Sequence, residues 1–195
     1  MKHTPFIFLI VSLILVACGA KSQISPDSAQ SFTDNVRKLC GQAFIGEVST
    51  TDPGDDEWRV AEIKMHVRDC VGAEIKIALH VGEHRSITWL LRDEDGTLAL
   101  RHDHRQKDGS PSVLTFFGGP AEIVTDTRVE FSADQSSQTL FDSLSIPDSK
   151  ERSWAVEARP VDNLFAYERR RPGHLFRIEF DTSKPIKAPP TPWGW

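Results

Sequence analysis

The sequence predicts an all-β domain: an antiparallel up-and-down barrel preceded by a short N-terminal helix, with a β-sandwich as the alternative. Three observations carry this. From Gln42 onward apolar residues recur with a period of two, the spacing of half-buried strands. Clusters of Gly, Pro and Asp interrupt those runs at short intervals, as hairpins require. No helix-length pattern alternates with the strands and no internal repeat is present, which argues against an α/β or solenoid fold. At 195 residues, 39% hydrophobic and 26% charged, the chain holds one globular core plus extensions. Its net charge of −5 makes nucleic acid an unsuitable partner.

The first extension is residues 1–17. Lys2 and His3 precede an apolar run from Phe6 to Val16, shorter than the roughly 20 residues that span a bilayer and suited to the core of a signal peptide. The run ends in Leu15-Val16-Ala17-Cys18, which resembles the lipobox of bacterial lipoproteins. That resemblance implies cleavage before Cys18, a diacylglycerol on its thiol and a mature protein anchored to a membrane by lipid. Gly19 rather than Asp follows, so the inner-membrane retention signal of enteric bacteria is missing, and the expected address is the outer membrane, facing the periplasm. An ordinary secretory signal or a short membrane anchor is the other reading. Loss of the leader removes one Lys and no acid, leaving −6.

Residues 18–27 read as a lipidated tether, polar and containing Ser25-Pro26. With Cys18 acylated, Cys40 and Cys70 remain as an even pair in a compartment that permits disulfides. A bridge between them closes a loop of about 30 residues and is worth roughly 3 to 4 kcal/mol through the unfolded chain. Two separate buried thiols are the alternative. Between tether and strands, Phe32, Val36, Leu39 and Cys40 fall at helical spacing over residues 28–40, with Gly41 placed to end the helix.

The domain proper spans residues 28–181. Ala61, Ile63, Met65 and Val67 alternate with polar residues, Ile75, Ile77, Leu79 and Val81 follow, and residues 69–72 turn between the two runs. Residues 85–92 and 97–105 form the next pair, joined by Asp93-Glu94-Asp95-Gly96, and further strands fall at 113–117, 128–132, 154–158, 164–170 and 175–180. Arg171-Pro172-Gly173-His174 makes the last hairpin turn. Setting Arg171 opposite His174 pairs Phe165, Tyr167 and Arg169 with Phe180, Ile178 and Phe176, and Glu168 with Arg177 on the other face. Apolar meets apolar and charge meets countercharge. Beyond 181, a tail with four prolines ends in Trp193 and Trp195; polyproline II conformation fits it, and its tryptophans can fold back on an apolar strip.

With its N-terminal helix and succession of hairpins, the body resembles the calycin-type barrels, the lipocalin, fatty-acid-binding and nitrobindin-like group, and Phe44-Ile45-Gly46-Glu47-Val48 is similar to their first strand. The resemblance implies a small ligand held in the lumen, although the Gly-x-Trp signature is absent. The run His102-Asp103-His104-Arg105 through Asp108-Gly109-Ser110 to Gly118-Gly119 resembles a motif of secreted bacterial proteins without assigned function, which implies no activity.

The candidate site is where a strand's apolar face turns into imidazoles. Leu98, Leu100, His102 and His104 share one face. Placing Arg92 opposite Thr97 sets Trp89 against Leu100 and Arg85 against His104, and carrying the register on sets Thr115 beside His102. Arg85, Trp89, His102, His104 and Thr115 would then form a polar, cationic mouth to an apolar cavity, suited to an amphiphile with an acidic head. A metal held by His102 and His104 is the sharper alternative, since His-x-His on a strand can place two imidazoles on one ion. The third reading is that both merely hydrogen-bond at the barrel rim. No cofactor and no catalytic residue is indicated: Gly-x-Ser-x-Gly, a phosphate loop and a free thiol are all missing. A small-ligand carrier, a structural accessory to a protein partner and a metal enzyme remain the three functional classes.

Overall fold

A computed structural model describes residues 25–195. The expected signal peptide (residues 1–17), the expected lipidation site Cys18 and nearly all of the expected tether (residues 18–27) lie outside the described residues. Ten strands, each antiparallel to its neighbours in sequence, close into one barrel: β1 (Ala43–Val48), β2 (Ile63–Asp69), β3 (Glu74–Val81), β4 (His84–Glu94), β5 (Thr97–His104), β6 (Phe117–Val124), β7 (Arg128–Ser132), β8 (Ser153–Arg159), β9 (Leu164–Arg171) and β10 (His174–Asp181), with β10 pairing back onto β1. Closure leaves no open sheet edge, which decides for the barrel over the sandwich. Among the described residues no helix is long and apolar enough to cross a membrane.

Helix α1 (Pro26–Arg37) starts two residues before the sequence-based bound, because Pro26 occupies the first turn, where its missing N–H costs nothing. It closes one mouth of the barrel. Arg37 donates to the Cys70 and Gly72 carbonyls in the β2–β3 turn, and Asn35 Nδ2 donates to the Asp126 carbonyl in the β6–β7 turn, so the helix spans the opening from wall to wall. Phe32 and Val36, both fully buried, plug the lumen, each worth about 2 kcal/mol of apolar burial. The expected Cys40–Cys70 disulfide is formed, with Cα atoms 6.3 Å apart, and ties the segment after α1 to the β2–β3 turn.

The β9–β10 register is the one expected: Arg171 faces His174, Phe165 faces Phe180, Tyr167 faces Ile178 and Glu168 faces Arg177. The β4–β5 register is shifted by two. Arg92 pairs with Ala99 rather than Thr97, because β4 runs on to Glu94 and the turn is the two-residue Asp95-Gly96, with both φ values positive (54° and 81°) as a type I′ hairpin needs.

Residues 113–117 are not a strand apart from Phe117 itself, which opens β6. Gly118 and Gly119 allow two backbones to approach there: a Cβ would lie 1.9 Å from the Leu100 carbonyl oxygen at the first and 2.0 Å from that of Ser132 at the second. Helix α3 (Gln135–Ser143), which sequence periodicity does not reveal, is capped by Asp134 and anchored to Gly118, whose N–H donates to Ser137 Oγ while that hydroxyl donates to the Gly118 carbonyl. A shorter helix, α2 (Asp56–Val60), lies in the β1–β2 connection at the mouth opposite α1.

The C-terminal tail straps the outer wall. Ile186 N–H donates to the Ala43 carbonyl beside β1 and Trp193 N–H to the Arg85 carbonyl on β4; Lys76 of β3 and Arg105 beyond β5 lie over the Trp195 ring. The tryptophans therefore fold back on the domain. His80 points outward beside Lys64 but is only 3% exposed, since the strap crosses that wall. Burial, with Arg85, His66, Lys64 and Arg68 nearby, lowers its pKa to about 4.

Candidate functional site

The barrel interior is filled along most of its length by Phe44, Met65, Phe131, Phe165, Ile178 and Phe180. Open space of about 160 Å³ remains near the mouth away from α1. Its walls are mainly aromatic: Trp58, Trp89, Phe117, Trp154, Tyr167 and Phe176. Strand alternation places most of them. Trp89 on β4, His102 on β5, Trp154 on β8, Tyr167 on β9 and Phe176 on β10 all face inward, while Trp58 comes down from α2 and packs edge-on against Phe176 at 5.1 Å between centroids.

Three of the expected residues, Trp89, His102 and His104, line this space. Trp89 is directly across from His102 and its ring stacks on Tyr167 at 4.1 Å. His102 is buried, stacked on Phe117 at 4.6 Å, with Nδ1 3.1 Å from the Phe117 carbonyl oxygen and Nε2 2.8 Å from Tyr167 Oη. A carbonyl can only accept, so Nδ1 carries the proton, Nε2 accepts, and the Tyr167 hydroxyl donates to it. Burial, reinforced by His104 and despite the Phe117 carbonyl, lowers the His102 pKa to about 3, and burial alone lowers that of His104 to about 4. Tyr167 is shifted upward by burial and stays a neutral phenol. Both imidazoles are neutral at physiological pH.

The structure corrects three expectations here. Arg85 is not opposite His104; Ile87 is. A β-bulge between β3 and β4, where the register shifts between Leu79 and Val81, breaks the alternation at Arg85, whose guanidinium reaches the Thr191 carbonyl of the strap at 3.4 Å. Thr115 is not beside His102. Its hydroxyl accepts from the His104 N–H and donates to Asp103 Oδ1, which also takes the Arg105 guanidinium, so the His-Asp-His-Arg run organises the loop that follows it. The two-imidazole metal site is not formed either: both His102 nitrogens are engaged and the two rings lie 6.4 Å apart at 80°.

What makes the mouth cationic is instead Arg152 and Arg169. Arg169 lies over the Phe176 ring at 4.9 Å and reaches within 3.9 Å of Asp55. Arg152 has no ion-pair partner among the described residues, and its Nε is buried without any hydrogen-bond partner. Burial, then the charges of Arg169 and Arg171, lower its pKa, the mark of a cation held where a cation is unwelcome. Part of this was legible. The β9–β10 register already placed Tyr167 and Arg169 in the inward row, and Arg152 precedes inward Trp154 by two residues. Trp58 sits on a five-residue helix with no periodicity to read.

Asp52, Asp55 and His174 bring three metal-capable atoms within 4.8 Å of one another at this end. Asp52 Oδ1 already caps the Gly54 N–H, His174 Nε2 is 3.1 Å from Asp55 Oδ2, and Arg169 brings a positive charge, so the group latches the α2 segment to β9 and β10.

Compared with protein-family models, with curated proteins and with solved structures, the chain matches none.

Proposed function

We propose that this chain is a lipid-anchored protein of the bacterial cell envelope whose barrel mouth binds a small organic anion. The observation that carries the binding reading is the half-buried Arg152 beside an aromatic cavity, its Nε buried without a partner: such a group costs roughly 1 to 3 kcal/mol, and an arriving carboxylate removes that cost. The amphiphile expected from sequence becomes smaller on this reading. About 160 Å³ is close to the roughly 150 Å³ that holds a benzene ring, and the filled lumen beyond leaves no channel for a long acyl chain. The ligand class is therefore a single-ring or short-chain monoacid, its apolar part among Trp89, Trp154 and Tyr167 and its carboxylate on Arg152 and Arg169. No catalytic step is part of this reading, because the neutral His102 and Tyr167 are bonded to each other rather than to an activated nucleophile.

The anchor rests on the Leu15-Val16-Ala17-Cys18 resemblance, and the outer membrane facing the periplasm is the location it implies. Binding is tested by titrating mature protein with benzoate and following tryptophan fluorescence, since three tryptophans line the cavity. Saturable quenching in the wild type, weakened about tenfold or more in Arg152→Gln, is the expected result; no saturable signal would remove the reading. Anchoring is tested apart from it: Cys18→Ser should leave the chain unprocessed or free of the membrane fraction, and unchanged processing and fractionation would refute the lipobox.

A second reading, accessory to a protein partner, is favoured by exposed Val60, Val113 and Phe116, which stand on the segments that supply Trp58 and Leu114 to the mouth. A binding-inactive mouth together with a stable envelope complex would select it.

A further inference from the structure

We infer that the cavity is specific for a hydroxylated or amino-substituted aromatic acid, one that brings a hydrogen-bond donor to Tyr167 Oη as well as an anion to Arg152. This deepens the anion-binding reading and rests on it. The argument starts from the Phe117 carbonyl. It can accept only, so it fixes the proton of His102 on Nδ1 (3.1 Å), and Nε2 is then an acceptor that must be met by a donor. The donor is the Tyr167 hydroxyl, at 2.8 Å. A phenol has one proton, and this one is committed.

What Tyr167 offers the cavity it lines is therefore lone pairs alone. The lone proton cannot be redirected without leaving His102 Nε2 unpaired in a site that is 2% exposed. Arg152 poses the opposite demand: a guanidinium has five donors and no acceptor, and its buried Nε has nothing to donate to. One cavity thus presents an unmet acceptor on its aromatic wall and an unmet, charged donor at its rim. A plain hydrocarbon acid satisfies the second and buries the first dry. A phenol satisfies the first and leaves the second. An aromatic ring bearing a carboxylate and a hydroxyl or amine satisfies both, and the stacked rings of Trp89 and Tyr167 beside Trp154 favour a flat ring over a saturated one.

The chain of hydrogen bonds also sets the polarity of the preference. A ligand that could only accept at Tyr167, such as a methyl ether or a second carboxylate, meets lone pair with lone pair and is rejected. Selectivity comes from the Phe117 carbonyl, two residues removed from the ligand, acting through His102 and Tyr167.

The test is a panel titrated by calorimetry against mature wild-type protein: benzoate, the three hydroxybenzoates, 4-methoxybenzoate, phenol and cyclohexanecarboxylate. At least one hydroxybenzoate should bind about tenfold tighter than benzoate, a hydrogen bond's share, and the methoxy analogue and phenol should bind worse than benzoate. In Tyr167→Phe the advantage of the hydroxybenzoate over benzoate should disappear whatever the variant's absolute affinity for benzoate, with near-UV circular dichroism reporting that the core is kept. Benzoate and every hydroxybenzoate binding the wild type equally would overturn the inference and leave the anion site standing. Failure of the whole panel to bind would take both down. Because the wild-type comparison alone decides, the result does not depend on the variant folding.

Discussion

Two groups of arginines flank the same strands and have opposite surroundings. On the outer wall Arg128 and Arg177 each bond Glu157 and Glu168, Arg170 adds a further bond to Glu168 at 2.6 Å, and Arg177 reaches Glu179 at 2.6 Å. Burial alone would raise the pKa of the 4%-exposed Glu168, yet Arg128 and Arg177 hold it below the usual carboxylate value. At the mouth Arg152 has no carboxylate within ion-pair distance among the described residues, Asp148 acting on it only from farther off, and Arg169 has one only at 3.9 Å. Glu168 and Arg169 are neighbours on β9, one facing out and one in, so a single step along the strand passes from a satisfied network to an unsatisfied one. The difference teaches how to sort charges from the structure of one chain. A matched cluster is accounted for by folding, whereas a partly buried cation left unmatched beside a cavity marks a candidate binding site.

Acid should affect the two regions in different windows, and this is the largest effect expected. His102 and His104 at the mouth, joined by His80 beneath the strap, have folded pKa values lowered to about 3 or 4, below the unfolded value of about 6.5. Below pH 6.5 the unfolded chain takes up protons that the folded chain refuses, so stability is full above that pH and falls by several kcal/mol as pH drops towards 4. Glu157 and Glu168 have depressed values, so their contribution is present above the unfolded carboxylate value of about 4.3 and is lost only as pH falls through their lower folded values. Thermal melts should therefore show Tm already declining between about pH 6.5 and 4.5, with His104→Gln flattening part of the decline. A Tm constant over that range would mean that the imidazoles are hydrated.

Glu168→Gln comes next. It leaves Arg128, Arg170 and Arg177 crowded without their shared carboxylate, and urea denaturation should show a loss of about 3 to 5 kcal/mol. A loss under about 1 kcal/mol would make the outer cluster an ordinary solvated surface and dissolve the contrast.

The smallest stability change, and the sharpest contrast, is Arg152→Met. Replacing a half-buried, unpaired cation by an apolar chain of similar reach should leave stability within about 1 kcal/mol of wild type or raise it, while weakening anion binding about tenfold or more. Destabilisation on the scale of Glu168→Gln would show that Arg152 serves the fold, and the two regions would then be alike.

How far the site was legible follows from the arithmetic of strands. Shifting β4 by two residues against β5 changes every cross-strand partner and leaves every face unchanged, so Trp89, His102 and His104 remained inward although Arg85 was paired with the wrong residue. Arg85 was lost because a bulge removes the alternation on which its placement relied. Thr115 was lost because the chain from Gln106 to Phe116 is a loop, through which no register can be carried.

By itself the sequence determined the all-β class of fold, most of the inward rows and the β9–β10 register, because period-two patterning and turn chemistry are local properties of the chain; whether Cys40 and Cys70 form a bridge or remain two thiols was open until the fold brought their Cα atoms to 6.3 Å. Tertiary structure alone decided barrel closure by β10 on β1, the strap that buries His80, the tautomer of His102 and the meeting of Arg152 with Arg169. Each of these depends on which distant segment arrives at a given face, and burial, hydrogen-bond direction and an unmatched charge have no meaning until that segment is in place.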